Sequence, residues 1–135
     1  MNGRLARGFT LIELMVVVIV VAILAAIAIP NFLEQSKKGR RSEAMSAVGE
    51  LQLRQERWRA ENPAYATPAQ LATLGAIPTL PYYTITPGTT PTATTYTVTA
   101  TAIGKQAGDR CGNLVLNWSA GSGKPTWSGD ADCNN

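Results

Sequence analysis

The residue best placed to do chemistry is an acid in the wrong surroundings. Glu13 stands at the head of a run, Leu14 to Ile29, built only of apolar side chains and stopped by Pro30. An unpaired carboxylate there is expensive, roughly 2.5–3.5 kcal/mol for a charged residue at a bilayer centre. Something must compensate it, and a cation with good geometry is the natural answer. The other reactive side chains are Cys111 and Cys133, near the C-terminus. In an exported chain an even pair reads as one disulfide. It would close a loop of about 23 residues and contribute roughly 3 kcal/mol in the chain-entropy account. The sequence holds no His. Ser-His-Asp and Cys-His triads and His-ligated metal sites are thereby excluded within this chain. No nucleophile–base or metal constellation appears, so the expectation is a protein that is not an enzyme and takes no cofactor.

The elements that position these residues begin with residues 9–30. Only Thr10 and Glu13 are polar between Phe9 and Ile29. As a helix this stretch would run about 32 Å at 1.5 Å per residue, enough to cross a hydrocarbon core. A cleaved secretory signal is one alternative, with Ala22, Ala25, Ala26 and Ala28 imitating its small-residue site. A plain anchor is another, but it explains neither the Gly8-Phe9 junction nor Glu13. The chain of 135 residues carries +3, and Arg4 and Arg7 lie in the basic lead-in. Their removal would leave +1 on the side chains, too small an excess to imply a general nucleic-acid-binding surface.

Arg7-Gly8-Phe9-Thr10-Leu11-Ile12-Glu13-Leu14-Met15, followed by Ala22-Ile23-Leu24-Ala25-Ala26-Ile27-Ala28-Ile29-Pro30, resembles the class III signal of type IV pilins. The resemblance implies a leader, residues 1–8, cut after Gly8 by a prepilin peptidase that then methylates the new amine on Phe9. It implies that the apolar segment is retained, anchors the subunit in the inner membrane with the head on the periplasmic side, and later packs in the core of a filament. The partner implied for Glu13 is the N-terminal amine of a neighbouring subunit. Other pilin subunits and an inner-membrane assembly platform are the further partners implied, and an extracellular pilus fibre the destination. Pro30 and Gly39 weaken the helix between them, which allows either a gentle bend or local unwinding during packing.

Residues 31–62 read as an amphipathic continuation. Ala44, Val48, Leu51, Gln55 and Trp58 recur at spacings of four, three, four and three, with Met45 and Leu53 flanking. Glu50 and Arg54 form an i,i+4 pair on the outer side. Lys37, Lys38, Arg40 and Arg41 follow the membrane-length segment, as a solvated face, a contact for anionic headgroups or partners for a neighbouring subunit. Asn62-Pro63 stops the helix.

Residues 63–135 read as a globular β head. Thr67 to Gly75 is a short helical turn with Thr67 as cap, Pro68 first, and Leu71 and Leu74 inward. Strands are expected over Tyr82–Thr86, Tyr96–Ala102, Leu114–Trp118 and Lys124–Ser128, forming an antiparallel sheet with the amphipathic helix across one face. The Thr-rich stretch from Pro87 to Thr95 is a loop whose hydroxyls could carry O-linked sugar. The fold class expected is therefore α+β: a long helix on a roughly four-stranded antiparallel sheet, with a C-terminal disulfide loop.

The segments Arg54-Gln55-Glu56-Arg57-Trp58 with Asn62, and Asp109-Arg110-Cys111-Gly112-Asn113-Leu114, are similar to a minor-pilin subgroup of proteobacterial type IVa pili. Members often carry Trp after the last Cys, where Asn134 stands here. A related branch includes DNA-uptake receptors. Lys105, Arg110 and Lys124 against Asp109, Asp130 and Asp132 do not favour that role. The expectation is a structural subunit of a type IV pilus, in twitching motility, adhesion or DNA uptake. A pseudopilin of a type II secretion system is the alternative, sharing leader, Glu13 logic and fold; the Cys pair favours the pilus.

Overall fold

The computed structural model describes residues 8–128; Cys133, Asp130, Asp132, Asn134 and the leader up to Arg7 lie outside them. Helix α1 runs unbroken from Leu11 to Glu61. The chain divides into two units, one ending at Ser36 and one starting at Lys37.

Among the described residues of the first unit, the large apolar side chains of α1 are exposed. Leu11, Ile12, Leu14 and the large apolar residues through Leu33 are exposed, and α1 is long and apolar enough to cross a membrane. Pro30 sits inside the helix. Its missing N–H removes one helical hydrogen bond, and one residue on Asn31 Nδ2 donates to Ile27 O at 3.2 Å. The helix continues through Pro30 and Gly39.

In the second unit α1 buries a stripe: Arg41, Ala44, Ala47, Val48, Leu51 and Gln55. The expected stripe is present, with Trp58 only half-buried. Met45 packs at the edge of the core, whereas Leu53 points away and is 61% exposed. Helix α2, Pro68–Thr73, starts on a capping box: Gln70 N donates to Thr67 Oγ1 and Thr67 N to Gln70 Oε1, at 3.4 and 2.8 Å. Leu71 is buried as expected; Leu74 is not, because the helix ends at Leu74 itself and turns that side chain outward. Gly75 follows with φ +143°, a conformation that favours glycine.

The sheet is an antiparallel meander in the order β1-β2-β3-β4, with strands Tyr83–Pro87, Thr95–Ala102, Leu114–Ser119 and Thr126–Ser128. Pro87 closes β1, an edge strand where a missing N–H costs no ladder bond. The register sets Ile85 opposite Ala100, Val98 opposite Leu116 and Leu116 opposite Trp127. Alternation then sends Tyr83, Ile85, Tyr96, Val98, Ala100, Leu114 and Leu116 to one face, where they form one core with Ala44, Ala47, Val48 and Leu51. The whole is the α+β pilin fold: a long N-terminal helix whose second half packs on a four-stranded antiparallel sheet.

Candidate assembly segment and head surface

Gly8, Phe9 and Thr10 precede α1, with Phe9 81% exposed. Thr10 is the cap of the helix: its Oγ1 accepts from Glu13 N at 3.3 Å and its carbonyl from Leu14 N at 3.2 Å. Glu13 therefore stands at the third helical position, in the first turn, where the positive end of the helix dipole favours a carboxylate. Composition alone does not single out Thr10, although Thr-x-x-Glu before an apolar run is a capping-box pattern that marks it. The structure thus brings Gly8, Phe9 and Glu13 together at the start of α1. Pro30 stands apart, well along the same helix.

The basic cluster Lys37, Lys38, Arg40 and Arg41 needs correction. Arg41 is neither solvated nor free for headgroups: it is 4% exposed, with Nε 2.8 Å from Asp109 Oδ2 and Nη2 3.3 Å from Oδ1. Gln106 Nε2 donates to Asp109 Oδ2 at 2.8 Å and reaches Tyr83 Oη at 3.2 Å and Lys37 O at 3.4 Å. Burial pushes the Tyr83 phenol above its ordinary range. Arg40 lies over the Tyr82 ring, 3.9 Å from its centroid. Extending the helical stripe back three residues from Ala44 reaches Arg41 and marks it as inward.

Further along α1, polar side chains clamp the connection to the head. Arg54 pairs with Glu50 as expected, and its guanidinium also donates to Gly75 O and Ala76 O at 2.9 and 2.8 Å. Buried Gln55 donates to Ala66 O at 2.9 Å and accepts from Ala66 N at 2.7 Å, satisfying a backbone pair as a strand would. Arg59 Nε donates to Ala93 O at 3.0 Å and Tyr65 N to Thr92 O at 3.0 Å, so the Thr-rich loop is tied down. Trp118 Nε1 donates to Tyr65 Oη at 2.6 Å. Tyr96 is 3% exposed and its hydroxyl has no hydrogen-bond partner among the described residues; burial raises its pKa strongly.

The fate of Asp109 changes the surface. It is the only acid in residues 62–128. With its charge buried against Arg41, the head surface formed by those residues shows Lys105, Arg110 and Lys124 and no exposed carboxylate. Cys111 is buried, and the expected partner Cys133 lies outside the described residues. Among the described residues no cluster of His, Cys, Asp and Glu could hold a metal.

A long helix with an exposed apolar first half and a first-turn acid, continuing onto a four-stranded antiparallel sheet, defines a pilin-type subunit. The match to known families agrees with that class. Residues 3–29 match the prokaryotic N-terminal methylation motif, and residues 30–115 match a family described as type IV minor pilin ComP, DNA uptake sequence receptor. The chain belongs to this type IV minor pilin family. It is also similar to the type IV major pilin protein PilA of Myxococcus xanthus, 47% identical over 60 residues, covering 44% of this chain and 27% of that protein. The type II secretion system core protein G of Escherichia coli is 36% identical over 76 residues, 56% of this chain and 52% of that protein. The type IV major pilin protein PilE1 of Neisseria gonorrhoeae is 44% identical over 75 residues, 50% of this chain and 35% of that protein. The chain thus spans about half the length, or less, of these curated relatives.

Proposed function

We propose that this protein is a structural subunit of a type IV pilus and acts by polymerisation, not catalysis. The observation that carries the reading is the apolar first half of α1, its large side chains exposed, with Glu13 in its first turn just past the Gly8-Phe9 junction. So much apolar surface needs a bilayer or other subunits to cover it. Cleavage after Gly8 by a prepilin peptidase, with methylation of Phe9, creates an amine that can pair with Glu13 of a neighbouring subunit. The segment then changes role from single-pass inner-membrane anchor, head on the periplasmic side, to filament core, by way of an inner-membrane assembly platform. Residues 9–30 supply that anchor, residues 31–62 the helix that carries the head, and residues 63–135 the head, stapled by a Cys111–Cys133 disulfide. The test is Glu13→Ala as the only copy of the subunit. The variant is expected to insert in the membrane and be poorly incorporated into fibres; normal incorporation refutes the reading.

Two further roles share this machinery. The similarity to type II secretion core proteins supports a pseudopilin role, separated by deletion: loss of fibres against loss of secreted exoproteins. The match of residues 30–115 to a family described as a DNA uptake sequence receptor supports a DNA-uptake role, with Lys105, Arg110 and Lys124 as exposed cations of the head that would carry it. Salt-dependent binding of duplex DNA by the full chain in detergent micelles tests it. Any of the three that neutralises a phosphate should, when changed to Gln, lower the salt slope by about 0.9.

A further inference from the structure

The face of the sheet turned away from the core carries neutral polar side chains in register. Thr97 on β2 stands opposite Asn117 on β3, and Asn117 opposite Thr126 on β4. Three hydrogen-bonding side chains thus cross three strands at steps of about 4.7–4.9 Å. The next row at that end pairs Thr95 with Ser119. Over this corner folds the connection from β1 to β2. Gly88 N donates to Thr97 O at 2.9 Å, and the two backbones are so close that a Cβ on Gly88 would collide with Thr97 Oγ1. Between this loop and the sheet lies a cavity of about 410 Å³, lined by Thr90, Thr95, Thr97, Asn117, Ser119 and Thr126 among others.

We propose that this cavity is a binding site for a neutral saccharide. No charged side chain lines it. An anionic ligand would therefore find no counter-charge and a cation no carboxylate, and the exposed Lys105, Arg110 and Lys124 lie outside the lining. Its walls mix hydroxyl and amide groups with at least as much apolar surface, Pro91 included, a combination that matches the hydroxyls and C–H faces of a sugar ring better than a wholly apolar ligand. The hydroxyl and amide groups of the walls have capacity to spare. Thr126 Oγ1 bonds Asn117 O at 3.3 Å, but the side chains of Thr90, Thr97, Asn117 and Ser119 make no hydrogen bond among the described residues. Each hydroxyl can donate and accept, and the amide offers two donors and an acceptor. A ligand whose own groups both donate and accept, carries no charge and presents several such groups on one ring meets that pattern. The volume lies near the lower end of the range for small-molecule sites, which suits one or two sugar rings. Gly88 sets the lip of the site, because any side chain there displaces Thr97. The assignment is independent of the DNA role, since it uses none of the head's cations.

The experiment uses the full processed chain in a detergent without a sugar headgroup. Glucose, galactose, N-acetylglucosamine, N-acetylgalactosamine and their β-linked disaccharides are the probes, read by saturation-transfer NMR and by the side-chain amide resonance of Asn117. At least one probe is expected to bind and shift that resonance. Thr97→Val with Asn117→Leu should weaken binding about tenfold or more, the loss of one or two hydrogen bonds, and Gly88→Ala should do the same by moving Thr97. Thr84→Val, on the same face outside the lining, should leave affinity unchanged. Thr97 and Asn117 are exposed, and near-UV circular dichroism establishes that their variants are folded. Failure of every probe to bind the folded wild-type chain overturns the proposal. So does binding that survives both the paired substitution and Gly88→Ala, or displacement of the sugar by duplex DNA.

Discussion

Replacing Asp109 by Leu tests the most consequential ion pair in the head. The substitution takes the carboxylate away from the Arg41 guanidinium, whose side chain is 5% exposed, and removes the shortest of three acceptors of Gln106 Nε2. Breaking one side of a buried pair costs about 3–5 kcal/mol, because the remaining buried charge loses that counter-ion. Small domains have only about 5–15 kcal/mol of stability in all. For a domain of this size each kcal/mol moves the thermal midpoint by about 4–8 °C, so a drop on the order of 12 °C or more is expected. The double variant Arg41→Met, Asp109→Leu removes both charges and should recover a large part of the loss, since hydrophobic replacement of a buried pair is often close to neutral. Gln106 keeps the recovery incomplete, as its amide is without the Asp109 acceptor in both variants. The assay is thermal unfolding of the full chain in micelles, followed by near-UV circular dichroism of the head's Tyr and Trp residues. Destabilisation below about 1 kcal/mol by Asp109→Leu, the range of an exposed pair, would refute the assignment of Arg41 and Asp109 to the interior. So would a double variant as unstable as the two single changes added together.

Tyr96, Tyr83 and Tyr65 all have phenols raised by burial, Tyr96 most. Their folded-state pKa values exceed the unfolded value near 10, so the stability they confer is complete below about pH 10 and is lost as pH rises above it. Alkaline titration followed by phenolate absorbance should show the head unfolding as these groups ionise. Tyr96→Phe removes a buried hydroxyl that has no partner among the described residues, so it should leave stability at neutral pH unchanged or higher and soften the alkaline loss. Thr10→Ala removes the cap of α1 and should weaken the start of the helix by about 1 kcal/mol, read as faster amide exchange at Glu13 and Leu14 in micelles. Cys111→Ser with Cys133→Ser should lower head stability by roughly 3 kcal/mol if the pair is bridged; peptide mapping without reductant checks the bridge directly.

The parts of this fold legible in the sequence are those set by periodicity. The Thr/apolar alternation of β2 and the four-three spacing from Ala44 to Gln55 each state one buried face, and the structure buries those faces. The limits of the short helix are legible too, because Thr67-Pro68 and Gly75 are local chemistry. What periodicity does not carry is long-range. Arg41 and Asp109 are 68 positions apart; extending the stripe marks Arg41 as inward, but no local pattern names Asp109 as its partner. The same holds for Arg54, whose pair with Glu50 is local and whose bonds to Gly75 and Ala76 are not. Leu74 departs from its expected inward place because the helix ends at that residue. The cavity beneath the β1–β2 connection depends on loop conformation, which composition does not specify.

Two sources of stability follow from these particulars. From Lys37 onward the chain has its own core, an interior ion pair and side chains that satisfy the backbone of their neighbours. In the unit that ends at Ser36 the large apolar side chains wait for cover. Substitutions at Asp109, Gln55 or Tyr96 should therefore change the folding of the head according to the buried hydrogen bonds and packing they remove. Substitutions at Phe9 or Glu13 should leave head unfolding unchanged and act only where lipid or other subunits supply the missing surroundings. Thermal unfolding of a Glu13→Ala chain in micelles checks this separation. A lowered midpoint for the head would break it, because the first-turn acid would then be contributing to a core it was expected to leave untouched.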